Sequence, residues 1–153
     1  MRLNRIYDHH NAVVEWQRRD LYVWLTNAFE APAVVIQRYC TPAIRAHVEG
    51  KFANEGWALD VRLDQNHQLA VTALKGDLAF QLQTGNMSRA PYDLLKLQYL
   101  FQEHKIQAAA IALPTLPAAK TIGDNIANAD RVCRELKLFD RVITVPISVV
   151  AFE

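Results

Sequence analysis

The sequence predicts an α/β domain on a mixed β-sheet, an antiparallel meander plus later strands, flanked by helices. Three observations carry that prediction. Stretches with a helical apolar period stand before residue 57 and again after residue 90. Between them, three successive segments alternate apolar and polar residues, with turn sequences separating them. Later, the uninterrupted apolar run "AAAIALP" lies between two helical stretches, as a strand covered on both faces does. At 153 residues the chain fits one domain, 1–153, with room for a hydrophobic core.

The elements follow in order. From Asn11 to Phe29, Val14, Leu21, Leu25 and Ala28 form one helical stripe, which Pro32 ends. "APAVVIQRYC" fits either a short strand or a helical turn. "TPAIRAHVEGKFANEGW" predicts a helix with Thr41 as its cap and Pro42 in its first position. Ile44, Val48 and Phe52 form its buried face, and Gly56 supplies a left-handed stop. In the meander, Trp57, Leu59, Val61 and Leu63 oppose Ala58, Asp60 and Arg62. A turn over 64–67 leads to Leu69, Val71 and Ala73, and "KGD" leads to a third strand. There Leu78, Phe80 and Leu82 oppose Ala79, Gln81 and Gln83. "APYDLLKLQYLFQEHK" is the clearest helix, with Leu94, Leu97 and Phe101 as its seam and Lys96 and Glu103 opposite. A last helix over about 124–137 buries Ile126, Ala129, Cys133 and Leu136. Pro146 then marks an edge or a strand end in the closing β-rich segment.

Composition narrows the class. The chain is 51% hydrophobic and 22% charged, as a soluble globular protein is. A net charge of +1 gives no global basic field, so any nucleic-acid binding rests on a local patch. No apolar run approaches the roughly 18 residues of a membrane span, and the polar start is no signal peptide. Cys40 and Cys133 have no metal-site spacing. These features point to a cytoplasmic protein with no membrane partner. Asp8, His9 and His10 are consecutive, but neighbouring side chains on a flexible terminus do not converge on one ion, so a solvated start is expected. The meander places Asp60, Arg62, Thr72, Gln81 and Gln83 on one polar surface, which is where chemistry is expected.

The segments "DLAFQLQTGNMSRAPYDLLKLQYLF", "NIANADRVCREL" and "VPISVV" together resemble the BglII-type restriction endonucleases, of the PD-(D/E)XK nuclease superfamily. The resemblance implies a restriction-endonuclease-like core and an Mg²⁺-dependent phosphodiesterase. In that pattern an Asp on one strand and a Glu on the next hold the ion, and a Gln follows two residues after the Glu. Carried over, Gln83 matches the family Gln, Gln81 stands where the Glu belongs, and Thr72 where the Asp belongs. Both departures replace an anion with a neutral group, and Mg²⁺ relies on carboxylates for charge. The expectation is a catalytically weakened or inactive nuclease-like protein that retains DNA or protein-partner binding, with no cofactor.

The alternative is an active Mg²⁺-dependent endonuclease with relocated carboxylates, drawn from Asp60, Asp64, Asp77 and Glu49, with Asp64 and Asp77 as metal ligands. A third reading is a small interaction protein without nucleic-acid binding. Under the resemblance, Arg62, Lys75, Asn86, Arg89 and Lys96 face double-stranded DNA, where such contacts position a duplex without reading its sequence. The leading helix carries Trp16, Tyr22, Val23 and Trp24 around most of its surface, which suggests a homodimer contact, as family endonucleases have.

Overall fold

The computed structural model describes residues 1–64 and 66–153. Its centre is a six-stranded mixed sheet in the order β1-β6-β5-β4-β3-β2. The strands are β1 (Leu3–His9), β2 (Ala58–Arg62), β3 (Ala70–Lys75), β4 (Leu78–Leu82), β5 (Ala108–Pro114) and β6 (Ile147–Phe152). The meander β2-β3-β4 is antiparallel, β4-β5-β6 run parallel, and β1 closes the far edge antiparallel to β6. Helices α1 (Ala12–Arg18), α2 (Tyr22–Asn27), α3 (Thr41–Asn54), α4 (Ala90–Gln102), α5 (Leu116–Ile122) and α6 (Ala129–Leu138) connect them.

The predicted mixed sheet is present, and its faces are divided as the alternation requires. Leu78, Phe80 and Leu82 of β4 pack with Trp16, Ile44, Val48 and Phe52 on the α1–α3 face. Ala79 packs with Leu94, Leu97, Val132 and Leu136 on the α4–α6 face. β5 is buried along its whole length, as its unbroken apolar run predicts. Its alanines matter on the first face. Ala108, Ala110 and Ala112 leave room for α1, and Trp16 Nε1 donates to Ala109 O at 3.2 Å. Pro146 lies just before β6, so its missing donor falls at a strand end.

Four expectations are corrected. The start is not a solvated terminus but β1, paired with β6 from Leu3↔Phe152 to His9↔Ile147. Its polar residues mislead because it is an edge strand with exposed side chains. The single helix over 11–29 is two helices, divided at Asp20, whose φ of 56° breaks the α-path. Val14 is consequently exposed, and Trp16, Leu25 and Phe29 fill the core instead. Cys40, not Thr41, takes the cap position of α3, without a side-chain bond. The last predicted helix begins at Ala129, with Asn128 Oδ1 accepting from Arg131 N–H at 3.0 Å, and α5 precedes it.

Trp24, expected at a subunit contact, is half-buried. It stacks on Trp57 and meets Phe52 edge-on inside the chain's own core. Val23 of the same helix is exposed, and a further apolar surface lies open on α4. Tyr92, Leu95 and Tyr99 are exposed there, beside Leu63 and Leu69, around a cleft of about 320 Å³.

Candidate functional site

β3 and β4 pair regularly at Lys75↔Leu78, Leu74↔Ala79 and Ala73↔Phe80. One step further, at Thr72 and Gln81, side chains replace the ladder. Thr72 N–H donates to Gln81 Oε1 at 3.1 Å, and Leu82 N–H donates to Thr72 Oγ1 at 3.0 Å. Both backbone donors are thereby satisfied without strand–strand pairing. Thr72 and Gln81 therefore stitch the parting strands together.

Behind them lies an ionic cluster. Gln81 Nε2 donates to Asp93 Oδ1 at 3.0 Å, and Gln83 Nε2 donates to Asp93 Oδ2. A carboxylate only accepts, which fixes the orientation of both amides. Gln83 Oε1 in turn accepts from Gly85 N–H at 2.6 Å. Lys96 Nζ sits 2.7 Å from Asp93 Oδ1 and donates to Ala70 O at 2.8 Å. Gln81, Gln83 and Asp93 are all buried. Asp93 projects from the first turn of α4, one turn before Leu97, which packs in the core. The helix that seals the core thus also delivers the carboxylate.

In front of the cluster is a groove of about 420 Å³ lined by Arg45, Glu49, Asp60, Thr72 and Gln81, among others. α3 supplies Arg45 and Glu49, which form an exposed pair at 3.3 Å. Asp60 lies on β2 in a left-handed conformation, φ 49°. Of the relocated acids expected from the sequence, Glu49 and Asp60 therefore do share the groove with Thr72 and Gln81.

The other two do not. Asp77 sits at the β3–β4 hairpin, at the opposite end of β4 from Gln83, and both its oxygens bind Arg19, with Arg19 Nε at 2.6 Å from Oδ1. The Arg19 hydrogen bonds hold its carboxyl below the usual carboxylate range. Asp64 follows β2 and folds into its own turn. Its Oδ1 accepts from Asn66 N–H at 2.6 Å and lies 3.0 Å from His67 Nδ1, and the Asn66 bond lowers its pKa. Neither lines the groove.

The basic residues divide similarly. Lys96 is turned inward to Asp93, and Lys75 is at the hairpin end, bonded to Glu55 O at 2.6 Å and to its carboxylate at 3.1 Å. Asn86 is a turn cap, with Oδ1 accepting from Ser88 N–H at 2.9 Å at the start of the short 3₁₀ turn Met87–Arg89. Arg62 and Arg89 are exposed, Arg62 beside Lys105 in a separate recess. Sequence reasoning missed Asp93 and Arg45. A signal for Asp93 exists in the Tyr-Asp-x-x-Lys spacing of α4, which puts Asp93 and Lys96 one turn apart.

Residues 5–152 match the family of restriction endonuclease BglII/BglIII. The chain belongs to the BglII/BglIII restriction endonuclease family. Among solved structures, restriction endonuclease BglII complexed with a DNA 16-mer matches at TM-score 0.82 and 11% identity. That match covers 100% of this chain and 78% of that one. Free BglII matches at TM-score 0.73 and 13% identity, over 100% of this chain and 80% of that one. At such identities the two structures speak for the fold. No curated protein matches the sequence.

Family membership raises the question of Mg²⁺, and the donor set of Thr72, Gln81 and Gln83 in this BglII-family chain does not fit it. Magnesium takes hard oxygens and relies on carboxylate charge. Thr72 Oγ1, Gln81 Oε1 and Gln83 Oε1 are neutral and each accepts from a backbone N–H. The nearby carboxylate, Asp93, accepts from two amides and pairs with Lys96. Among the described residues, no three metal-ligating side chains converge at the groove.

Proposed function

We propose that this BglII-family chain is a restriction-endonuclease-like DNA-binding protein in which the cleavage centre has become a structural hydrogen-bond cluster. The observation that carries the reading is the Thr72–Gln81–Gln83–Asp93–Lys96 network, in which every group at a family catalytic position bonds to the protein itself. Such a cluster joins β3, β4 and α4 and presents no anionic ligand to a hard cation. Double-stranded DNA is the proposed partner, since the solved structure of similar fold holds a DNA 16-mer. Arg62 and Arg89 are the exposed cations proposed to meet its phosphates, with Arg45 in the groove. A homodimer belongs to the same proposal, and the exposed Tyr92–Leu95–Tyr99 face is the support for it. A sedimentation experiment that finds only monomer at high micromolar concentration ends that part.

One observation favours a second reading, an active Mg²⁺-dependent endonuclease. Glu49 and Asp60 both line the groove that holds Thr72 and Gln81. Cleavage of long mixed-sequence DNA in Mg²⁺ and in Mn²⁺ separates the two, with the natural protein beside a Thr72→Asp/Gln81→Glu double variant. The neutralised-centre reading expects no discrete fragments from the natural protein. Metal-dependent fragments that disappear in Glu49→Gln or Asp60→Asn would overturn it. DNA affinity should fall on charge reversal at Arg62 and Arg89 and should depend steeply on salt.

A further inference from the structure

His9 and His10 are sequence neighbours, and along an ordinary strand their side chains would point to opposite faces. Here they do not. β1 ends at His9, and His10 and Asn11 both take left-handed φ values, 53° and 60°. This reversal folds the His10 ring back onto that of His9, with 4.0 Å between centroids. Left-handed backbone is uncommon for residues other than glycine, and two in succession hold a costly geometry in place.

The turn after α6 meets the pair. Asp140 Oδ1 lies 3.4 Å from His10 Nε2 and 3.9 Å from His9 Nδ1. One ligand atom from each of the three residues lies within 4.8 Å of the others. His9 Nε2 is 2.7 Å from Ile143 O. A carbonyl only accepts, so that nitrogen carries the hydrogen and the neutral ring presents a bare Nδ1 toward Asp140. A backbone carbonyl on the far nitrogen is the usual support of a metal-ligating histidine. Asp8 plays no part, because its Oδ1 accepts from Val13 N–H at 3.1 Å.

We propose that His9, His10 and Asp140 form a binding site for a divalent transition-metal ion of the Zn²⁺ class. Two imidazoles and one carboxylate suit such an ion, whereas Mg²⁺ prefers an all-oxygen shell. In a tetrahedral site with bonds of about 2.0–2.1 Å, neighbouring ligand atoms stand roughly 3.3–3.5 Å apart. The 3.4 Å pair already has that spacing, and Asp140 is 57% exposed and free to close the 3.9 Å one. His10 Nε2 exchanges its 3.0 Å approach to Asp140 O for the metal, or turns its other nitrogen inward. Three protein ligands leave a fourth position to water. The ion would clamp the end of edge strand β1 to the turn between α6 and β6. The site is separate from the Thr72–Gln81 groove and shares no residue with it.

The test uses untagged full-length protein, stripped with chelator and titrated with Co²⁺ alone and then Zn²⁺ alone. Expected are one equivalent of Co²⁺ with visible d–d absorption, displacement by Zn²⁺, a rise in Tm with Zn²⁺, and no response to Mg²⁺. Asp140→Ala should weaken Co²⁺ at least tenfold. His10→Asn, which keeps a residue suited to left-handed backbone, should do the same. Circular dichroism of each metal-free variant checks that it is folded. Absence of saturable Co²⁺ binding in the natural protein, or undiminished one-to-one affinity in both folded variants, overturns the proposal.

Discussion

Gln81 Nε2 stands 3.0 Å from Asp93 Oδ1, so its amide is a hydrogen-bond donor to a buried carboxylate. Neutrality at position 81 is thus a requirement of this protein's own packing. Gln81→Glu would set two carboxylates face to face and cost about 2–4 kcal/mol at pH 7. The like charge and the burial raise the pKa of the new acid in the folded state. Its penalty is full at neutral pH, shrinks as pH falls through that raised value, and is gone below the unfolded value of about 4.3. Urea unfolding of both proteins at pH 7 and near pH 4 measures this. A constant difference would contradict it.

Asp93 holds the cluster together, and its removal orphans Lys96 and two amides at once. Asp93→Ala should therefore cost about 3–5 kcal/mol. Lys96→Ala should act the same way, through stability. If Lys96→Ala instead keeps its unfolding midpoint but loses DNA affinity, the inward placement of Lys96 has no energetic weight.

Thr72 Oγ1 accepts the Leu82 N–H where β3 and β4 part. Thr72→Val keeps the shape and removes the acceptor, so it should destabilise by about 1–3 kcal/mol. Amide exchange at Leu82 should accelerate more than exchange at Phe80, which lies inside the regular ladder. Equal acceleration at both would mean a global rather than a local loss.

The Arg19–Asp77 pair ties α1 to the β3–β4 hairpin. Because folding lowers the Asp77 pKa, its contribution is present above the unfolded carboxyl value of about 3.9 and is lost as pH falls through the lower folded value. With the Asp77 side chain 44% exposed, the pair contributes about 1 kcal/mol at most after solvent screening. Asp77→Asn should lower stability by that amount at pH 7 and by almost nothing near pH 2. Differential scanning calorimetry at the two pH values reads the difference.

Burial pushes the Cys133 thiol up to about 12. At pH 8 about one molecule in ten thousand would carry the thiolate that reacts. Cys40 is also free and buried. A thiol reagent should label both at the rate of unfolding, and rapid labelling of Cys133 in folded protein would show that the α6 face opens.

The mixed sheet, its double covering and most core positions were legible in the residues. Period-two alternation assigned Leu78, Phe80 and Leu82 to one face, and the run of alanines and Ile111 marked a strand buried on both. The resemblance singled out Thr72, Gln81 and Gln83, and the structure joins them in one hydrogen-bond cluster. Local pattern failed at β1, whose polar side chains sit on an edge strand, and at Asp20, where one left-handed residue divides a helix. It also offered Asp64 and Asp77 as candidate ligands, because composition cannot tell a turn or an ion pair from a site. Tertiary structure decided the rest. It turned Lys96 inward, supplied Asp93 from the next helix, and brought Asp140 to His9 and His10 from 130 residues away. The physical reason is the same throughout. Periodicity reports which face of an element is buried, whereas a charge's partner depends on which elements meet, and that is set only when the whole sheet and its helices pack.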